Sequence, residues 1–293
     1  LQNIFIAAIL LVSCIVVAQQ NVSTFKQLTI DDGLSQNSVN CIHQDKHGFM
    51  WFGTQDGLNR FDGYSFKQFR TRKDHSNSLS NNYIWDIYED ENSILWIATF
   101  GGGLNSLNLV TGEINSFKPI PDNPMSFPSS RLFSITESPT GILWIGSNEG
   151  LIRFDKTTKQ SQLFLSEKTP DNRLKDNYIG IVSIDNEGHL WLRSDLGLTF
   201  FNTKSNTADY FRKSPFSNDF DLGDIYDIKN IGGRMFIACD AGLVEINPKA
   251  KTDKLLLDAS KTQIEGRTPI FKKITPLENH RYAIGTNRGF IIF

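Results

Sequence analysis

The sequence predicts an all-β fold, a β-propeller of four-stranded antiparallel blades. Three observations predict it: a recurring motif, the period of its recurrence, and the alternation of strands and turns inside each copy. The clearest copy is Leu143-Trp144-Ile145-Gly146-Ser147-Asn148-Glu149-Gly150-Leu151-Ile152-Arg153-Phe154, and it recurs in diluted form five more times. Its anchors Trp51, Trp96, Trp144, Trp191, Phe236 and Ala283 lie 45, 48, 47, 45 and 47 residues apart. A period of this length in a strand-rich chain means a radial array of small sheets, in which no unit buries its faces without its neighbours.

Each copy reads as four short strands, a to d. In the third these are 132–137, 142–147, 151–154 and 162–165, rich in β-branched and aromatic residues. They are separated by the turn clusters Ser138-Pro139-Thr140-Gly141, Asn148-Glu149-Gly150 and Asp155-Lys156-Thr157-Thr158. Nothing in the body of the chain carries helical periodicity. Strand a places an apolar residue nine positions before the anchor in five copies, at Ile42, Ile87, Ile135, Val182 and Ile274, whereas Ile228 stands eight before, so that turn is one residue shorter. Strand b carries the anchor, a large side chain expected to fill the wedge between adjacent sheets. Six residues further on, Gly57, Gly102, Gly150, Gly197, Gly242 and Gly289 mark the b–c turn, where a positive φ calls for glycine.

Strand d of the first copy, Ser65-Phe66-Lys67-Gln68-Phe69, has a look-alike upstream at Thr24-Phe25-Lys26-Gln27-Leu28. An orphan fourth strand of this kind completes the last blade of a ring and removes its open edge. The sequence halts at Phe293, after a third strand. Two arrangements follow: six blades closed by the borrowed strand, or six visible blades of a larger, seven-bladed ring, which is the expected one.

The first 18 residues differ from the rest. The apolar run 4–18 followed by Gln19-Gln20-Asn21 fits a secretory signal peptide over 1–18, with Val16-Val17-Ala18 as the small-residue cleavage site, leaving a propeller domain over 19–293. A lipoprotein cleavage at Cys14 and a retained membrane anchor are the alternatives, the run being short for a bilayer span. Export implies a periplasmic location. With 39% hydrophobic and 12% aromatic residues the mature chain can bury a sizeable core. A net charge of −2 supplies no field for nucleic acid or an anionic bilayer, and Arg70-Thr71-Arg72-Lys73 reads as a solvated loop. Cys41 and Cys239 fall on strands of distant units, so no disulfide is expected.

No catalytic pattern emerges: there is no phosphate-cradling loop before a helix, no His-rich zinc signature and no nucleophile elbow. His43, His47, His75, His189 and His280 are scattered without metal-ligand spacing, and neither metal nor cofactor is expected. What remains is a surface. In an up-and-down blade the loop leading into strand a and the b–c turn share one face of the disc. Asn37, Asn81, Asn82, Tyr83, Arg131, Asn177, Tyr178, Asp224 and Tyr226 from those loops converge around the central opening, a set suited to a polyhydroxylated ligand such as an oligosaccharide. Asn, Asp and Ser also serve turns with local backbone hydrogen bonds, the competing use of the same side chains.

The stretches 45–62 and 95–105 resemble two-component regulator propeller repeats, and the opening 25–39 resembles the start of the periplasmic sensor region of hybrid two-component systems in Bacteroides-type bacteria. The resemblance implies paired seven-bladed propellers followed by an immunoglobulin-like domain, a membrane helix, and kinase and receiver modules, in receptors that sense glycan breakdown products. It implies a homodimer in the full-length receptor and membrane attachment through a downstream helix, with kinase activity outside this segment. The leading expectation is therefore a non-enzymatic, extracytoplasmic sensor. A propeller lyase or hydrolase, with Tyr83, Tyr178, Tyr226, Asp176 and Asp224 as its only candidate groups, and a protein-binding scaffold are the alternatives.

Overall fold

The computed structural model describes residues 27–292 apart from 74, 167–173, 175, 265 and 278–280. Among the described residues it is a β-propeller of six blades, over 39–69, 84–117, 132–164, 179–211, 225–258 and 271–292. Five sheets are four-stranded in the order a-b-c-d and the sixth has strands a to c among the described residues. Every neighbouring pair is antiparallel, and the strands of the third blade, Leu132–Glu137, Ile142–Ser147, Leu151–Asp155 and Ser161–Phe164, fall within one residue of those expected. Two 3-10 turns, Ile30–Asp32 and Ala259–Lys261, complete the regular structure. The expected signal peptide at 1–18 lies outside the described residues, as do residues 24–26 of the expected orphan strand, whose Gln27 and Leu28 are not in a strand.

The anchors face the next blade. Trp51, Trp96, Trp144, Trp191 and Phe236 are 1–4% exposed, and each joins the apolar cluster at the junction that follows it. The indole N–H needs a partner when buried, and an aspartate six residues upstream supplies one. Trp51 Nε1 donates to Asp45 Oδ2 (2.7 Å), Trp96 to Asp90 (2.9 Å) and Trp191 to Asp185 (3.2 Å). The other oxygen of each carboxylate caps the a–b turn, Asp45 Oδ1 accepting from the backbone of His47 and Phe49. In blade 3 Ser138 takes that place and accepts from Ile142 N.

The turn glycines follow expectation with one correction. Gly57, Gly150, Gly197, Gly242 and Gly289 have φ between 116° and 143°, whereas Gly102 has no positive φ. Blade 2 has one extra residue in its b–c turn, so strand c starts at Leu104 and the strained positions are Gly101 (127°) and Gly103 (73°). Close approach is the second reason for glycine: a Cβ on Gly103 would run into the Phe117 carbonyl, as one on Gly150 would into that of Phe164.

Strand a is the inner, unpaired edge of every sheet, so its free backbone groups need partners. The preceding blade supplies them: Asp86 Oδ2 accepts from Ile135 N (2.8 Å), Ser134 Oγ from Val182 N (3.1 Å) and Asp227 Oδ2 from Ile274 N (2.9 Å). These latches and the apolar clusters close five junctions. Between blades 6 and 1 no apolar cluster forms among the described residues. There Ile42 is 60% exposed, while Ile87, Ile135, Val182, Ile228 and Ile274 at the same register are 1–7% exposed.

Candidate functional site

The inner strands enclose an axial channel of about 870 Å³. One register row of strand a, eleven residues before the anchor and ten in blade 5 with its shorter turn, carries Asn40, Trp85, Phe133, Gly180, Tyr226 and Lys272. Around it, at the end of the channel formed by the loops into strand a and the b–c turns, lies a continuous aromatic wall. Tyr83 packs on Trp85 (5.6 Å between centroids) and on Phe100 (5.4 Å), Trp85 on Phe133 (5.3 Å), and Phe133 on Tyr178 (4.7 Å). Cations lie over three of these or neighbouring rings: Arg131 on Phe100 (5.3 Å), Arg193 on Tyr178 (5.6 Å) and, farther round, Lys272 on Tyr226 (3.8 Å). The Tyr226 hydroxyl donates to Asp240 Oδ1 (2.9 Å), and burial together with that carboxylate pushes its pKa up to about 12. It therefore stays a neutral donor.

Deeper in the channel the lining turns polar. Burial pushes the Asp86 carboxyl up, and Lys273 Nζ lies 3.3 Å from Asp227 Oδ1. Cys41 and Cys239 are both unpaired, with their thiols raised by burial, Cys239 to about 11. At the opposite mouth His43 Nε2 is 3.4 Å from Glu89 Oε2, and Lys156 Nζ joins Asp90 (2.8 Å) to Glu137 (2.6 Å). Among the described residues no group of three or more His, Cys, Asp or Glu side chains is placed to hold a metal ion.

The structure separates the nine residues expected at the opening. Tyr83, Arg131, Tyr178 and Tyr226 stand at the mouth, and Asp224 lines a pocket between blades 4 and 5. The four amides serve the loops themselves. Asn37 Oδ1 accepts from Ile30 N, Asn81 from Tyr83 N, Asn82 from Thr71 N and Asn177 from Ser166 N. Trp85, Phe133 and Arg193, outside the expected set, stand at the same mouth. For Trp85 and Phe133 the signal was their common register with Tyr226 on strand a. For Arg193 it was a long side chain where the other copies have Gly or Ala.

Blades of this construction around an aromatic and polar mouth define a class, the repeat-built β-propeller. More narrowly, residues 33–56 and 78–101 match the model of the two component regulator propeller family. Over 83 residues the chain is 45% identical to a histidine kinase P4 of Formosa agariphila, a match spanning 27% of this chain and 6% of that protein. The fold superposes with a TM-score of 0.76 and 26% identity on the extracellular domain of a B. thetaiotaomicron protein described as a hybrid two component system, covering 92% of this chain and 35% of that one. The chain thus spans about a third of that structure's length. It also superposes on virginiamycin B lyase from Staphylococcus aureus, with a TM-score of 0.61, 12% identity and 87% and 84% of the two chains covered, a likeness of fold alone. The propeller accordingly resembles the extracellular sensor domains of two-component systems, which agrees with an extracytoplasmic location.

Proposed function

We propose that this propeller is the periplasmic ligand-sensing module of a two-component signal transduction receptor, and that it detects oligosaccharides to regulate polysaccharide utilisation. The observation that carries the reading is the aromatic wall from Tyr83 through Trp85 and Phe133 to Tyr178, flanked by Arg131, Arg193 and Lys272. Flat apolar rings beside fixed hydrogen-bonding groups suit sugar rings, which present an apolar face and an equator of hydroxyls. The segment itself is non-enzymatic in this reading: it binds, and differential affinity for two arrangements of the receptor carries the signal. A homodimeric, membrane-anchored receptor is the assembly in which it would act.

Calorimetry with a panel of oligosaccharides, run beside a product assay, tests the proposal. Heat without turnover is expected, and Tyr178→Ala should weaken binding about tenfold or more, on the order of 1.4 kcal/mol. Product formation, or affinity indifferent to Tyr178 and Trp85, would sink it.

A further inference from the structure

Blade 4 breaks the repeat at one place. Two residues after the anchor, strand b carries Gly53, Ala98, Gly146, Ala238 and Gly285 in the other five blades, and Arg193 here. The small residues have a steric cause, because this side of the strand meets the next blade. A Cβ on Gly53 would press on the Cys41 thiol and lie 2.7 Å from Ile84 of blade 2, and one on Gly146 would run into the Ile179 carbonyl of blade 4. Ala98 and Ala238 are fully buried. Where Arg193 stands, the junction instead opens into a pocket of about 460 Å³, lined by Arg193, Asp195, Arg212, Asp221, Asp224 and Ile225 among others.

The surroundings make room for this side chain. Gly180 is the one residue without a side chain in the channel-lining row, and a Cβ there would stand 2.6 Å from Arg193 Nη1. The Tyr178 ring covers the guanidinium at 5.6 Å. Charge compensation is thin: the Arg193 side chain is only 30% exposed, and its ion-pair partner is Asp195 at 3.9 Å, itself 64% exposed. Nearby carboxylates are occupied, Asp176 by the backbone of Tyr178 and Asp195 and Asp221 by that of Gly223, while Arg212 Nε donates to the Tyr210 hydroxyl. A partly desolvated cation held this loosely favours an oxyanion guest, and the planar fork of a guanidinium matches carboxylate and sulfate.

We infer that the pocket between blades 4 and 5 is a subsite for an acidic sugar, whose carboxylate or sulfate is read by Arg193 while its hydroxyls donate to the lining carboxylates of Asp195 and Asp224. The inference rests on the reading of this face as saccharide-binding and narrows it to oxyanion-bearing glycans.

The test titrates the chain with galacturonate oligosaccharides, sulfated galactan oligosaccharides and neutral galactan oligosaccharides of matched length. It is repeated on Arg193→Ala, the residue blades 2 and 5 carry, and on Arg193→Lys, with unfolding curves confirming that both variants fold. One acidic series should bind at least about tenfold tighter than the neutral one, and its advantage should shrink as salt rises. Arg193→Ala should abolish the advantage and Arg193→Lys should keep part of it. The two acidic arms distinguish carboxylate from sulfate. Equal or better binding of the neutral series, or an acidic preference unchanged in Arg193→Ala, overturns this inference and leaves saccharide sensing standing. No heat from any series overturns both.

Discussion

Replacing Asp90 with alanine should be among the costliest single changes in this fold. Asp90 is 2% exposed and its carboxylate accepts four hydrogen bonds: Oδ1 from Asn92 N (2.9 Å) and Ile94 N (3.1 Å), Oδ2 from Trp96 Nε1 (2.9 Å) and Lys156 Nζ (2.8 Å). Without it the indole N–H of a buried tryptophan is orphaned, at roughly 1–3 kcal/mol. Lys156, whose side chain is 12% exposed, keeps only Glu137 at 2.6 Å. Removing one partner of a buried ion pair costs on the order of 3–5 kcal/mol, and because the two losses share one carboxylate they do not add in full, so Asp90→Ala should lose about 3–5 kcal/mol in all. Asp90→Asn keeps an acceptor for Trp96 and should lose less, about 1–3 kcal/mol. Urea unfolding followed by tryptophan fluorescence reads both as shifts in midpoint at constant slope. A loss below about 1 kcal/mol for the alanine variant would refute the claim that this carboxylate joins the anchor to the neighbouring blade.

The same carboxylate gives a pH dependence of known sign. Burial alone would raise its pKa, but the hydrogen bonds from Lys156 and Trp96 outweigh that and hold it below the ordinary 3.8. A depressed folded-state pKa means that the contribution is complete above pH 3.8 and is lost as pH falls through the lower folded value. The stability gap between the parent and Asp90→Ala should therefore be flat through neutral pH and narrow only in strong acid. Lys156 works in the opposite direction. Burial lowers its pKa, Asp90 and Glu137 more than offset this, and its contribution should fade only as pH rises beyond the ordinary 10.5.

Ile87→Ala should cost about 2–4 kcal/mol and Ile42→Ala under about 0.5 kcal/mol, although both stand nine residues before their anchors; equal losses would mean that blade 1 is as well covered as blade 2. Gly150→Ala should lower the thermal midpoint by an amount equivalent to about 1–3 kcal/mol, since its φ is 143° and the added methyl meets the Phe164 carbonyl. An unchanged midpoint would show that the turn can relax. Cys239 should resist iodoacetamide at mildly alkaline pH in the folded protein and react after urea unfolding, because burial holds it near pKa 11; rapid native-state labelling of Cys239 would contradict its burial.

The period, the strand-and-turn alternation and the anchor positions carried the fold, because each is a local demand repeated once per blade. Gly102 misled because a one-residue insertion is invisible until strand c is placed at Leu104. The amides pose a different question. An Asn such as Asn81, whose side chain accepts a bond from the backbone two residues on, has the same spacing in sequence whether it serves a turn or a ligand. Composition therefore pointed to one face but could not divide its residues between the two uses.

A repeat protein offers a sharper criterion, which the structure makes physical. At the anchor and the small position two after it, packing against the next blade restricts the choice, as packing against the preceding blade does at the apolar position nine residues before it, so these positions stay apolar or small from unit to unit. Rows facing the channel are under no such demand, and there the six blades diverge into Asn40, Trp85, Phe133, Gly180, Tyr226 and Lys272. Divergence in a free row says little. Divergence in a restricted row is informative because it must be accommodated, and Arg193 is accommodated by Gly180, by the Tyr178 ring and by an opened junction with blade 5. Arg193 and Gly180 depart together in blade 4 and in no other blade among the described residues, which is how the proposed binding position would be carved from a structural repeat.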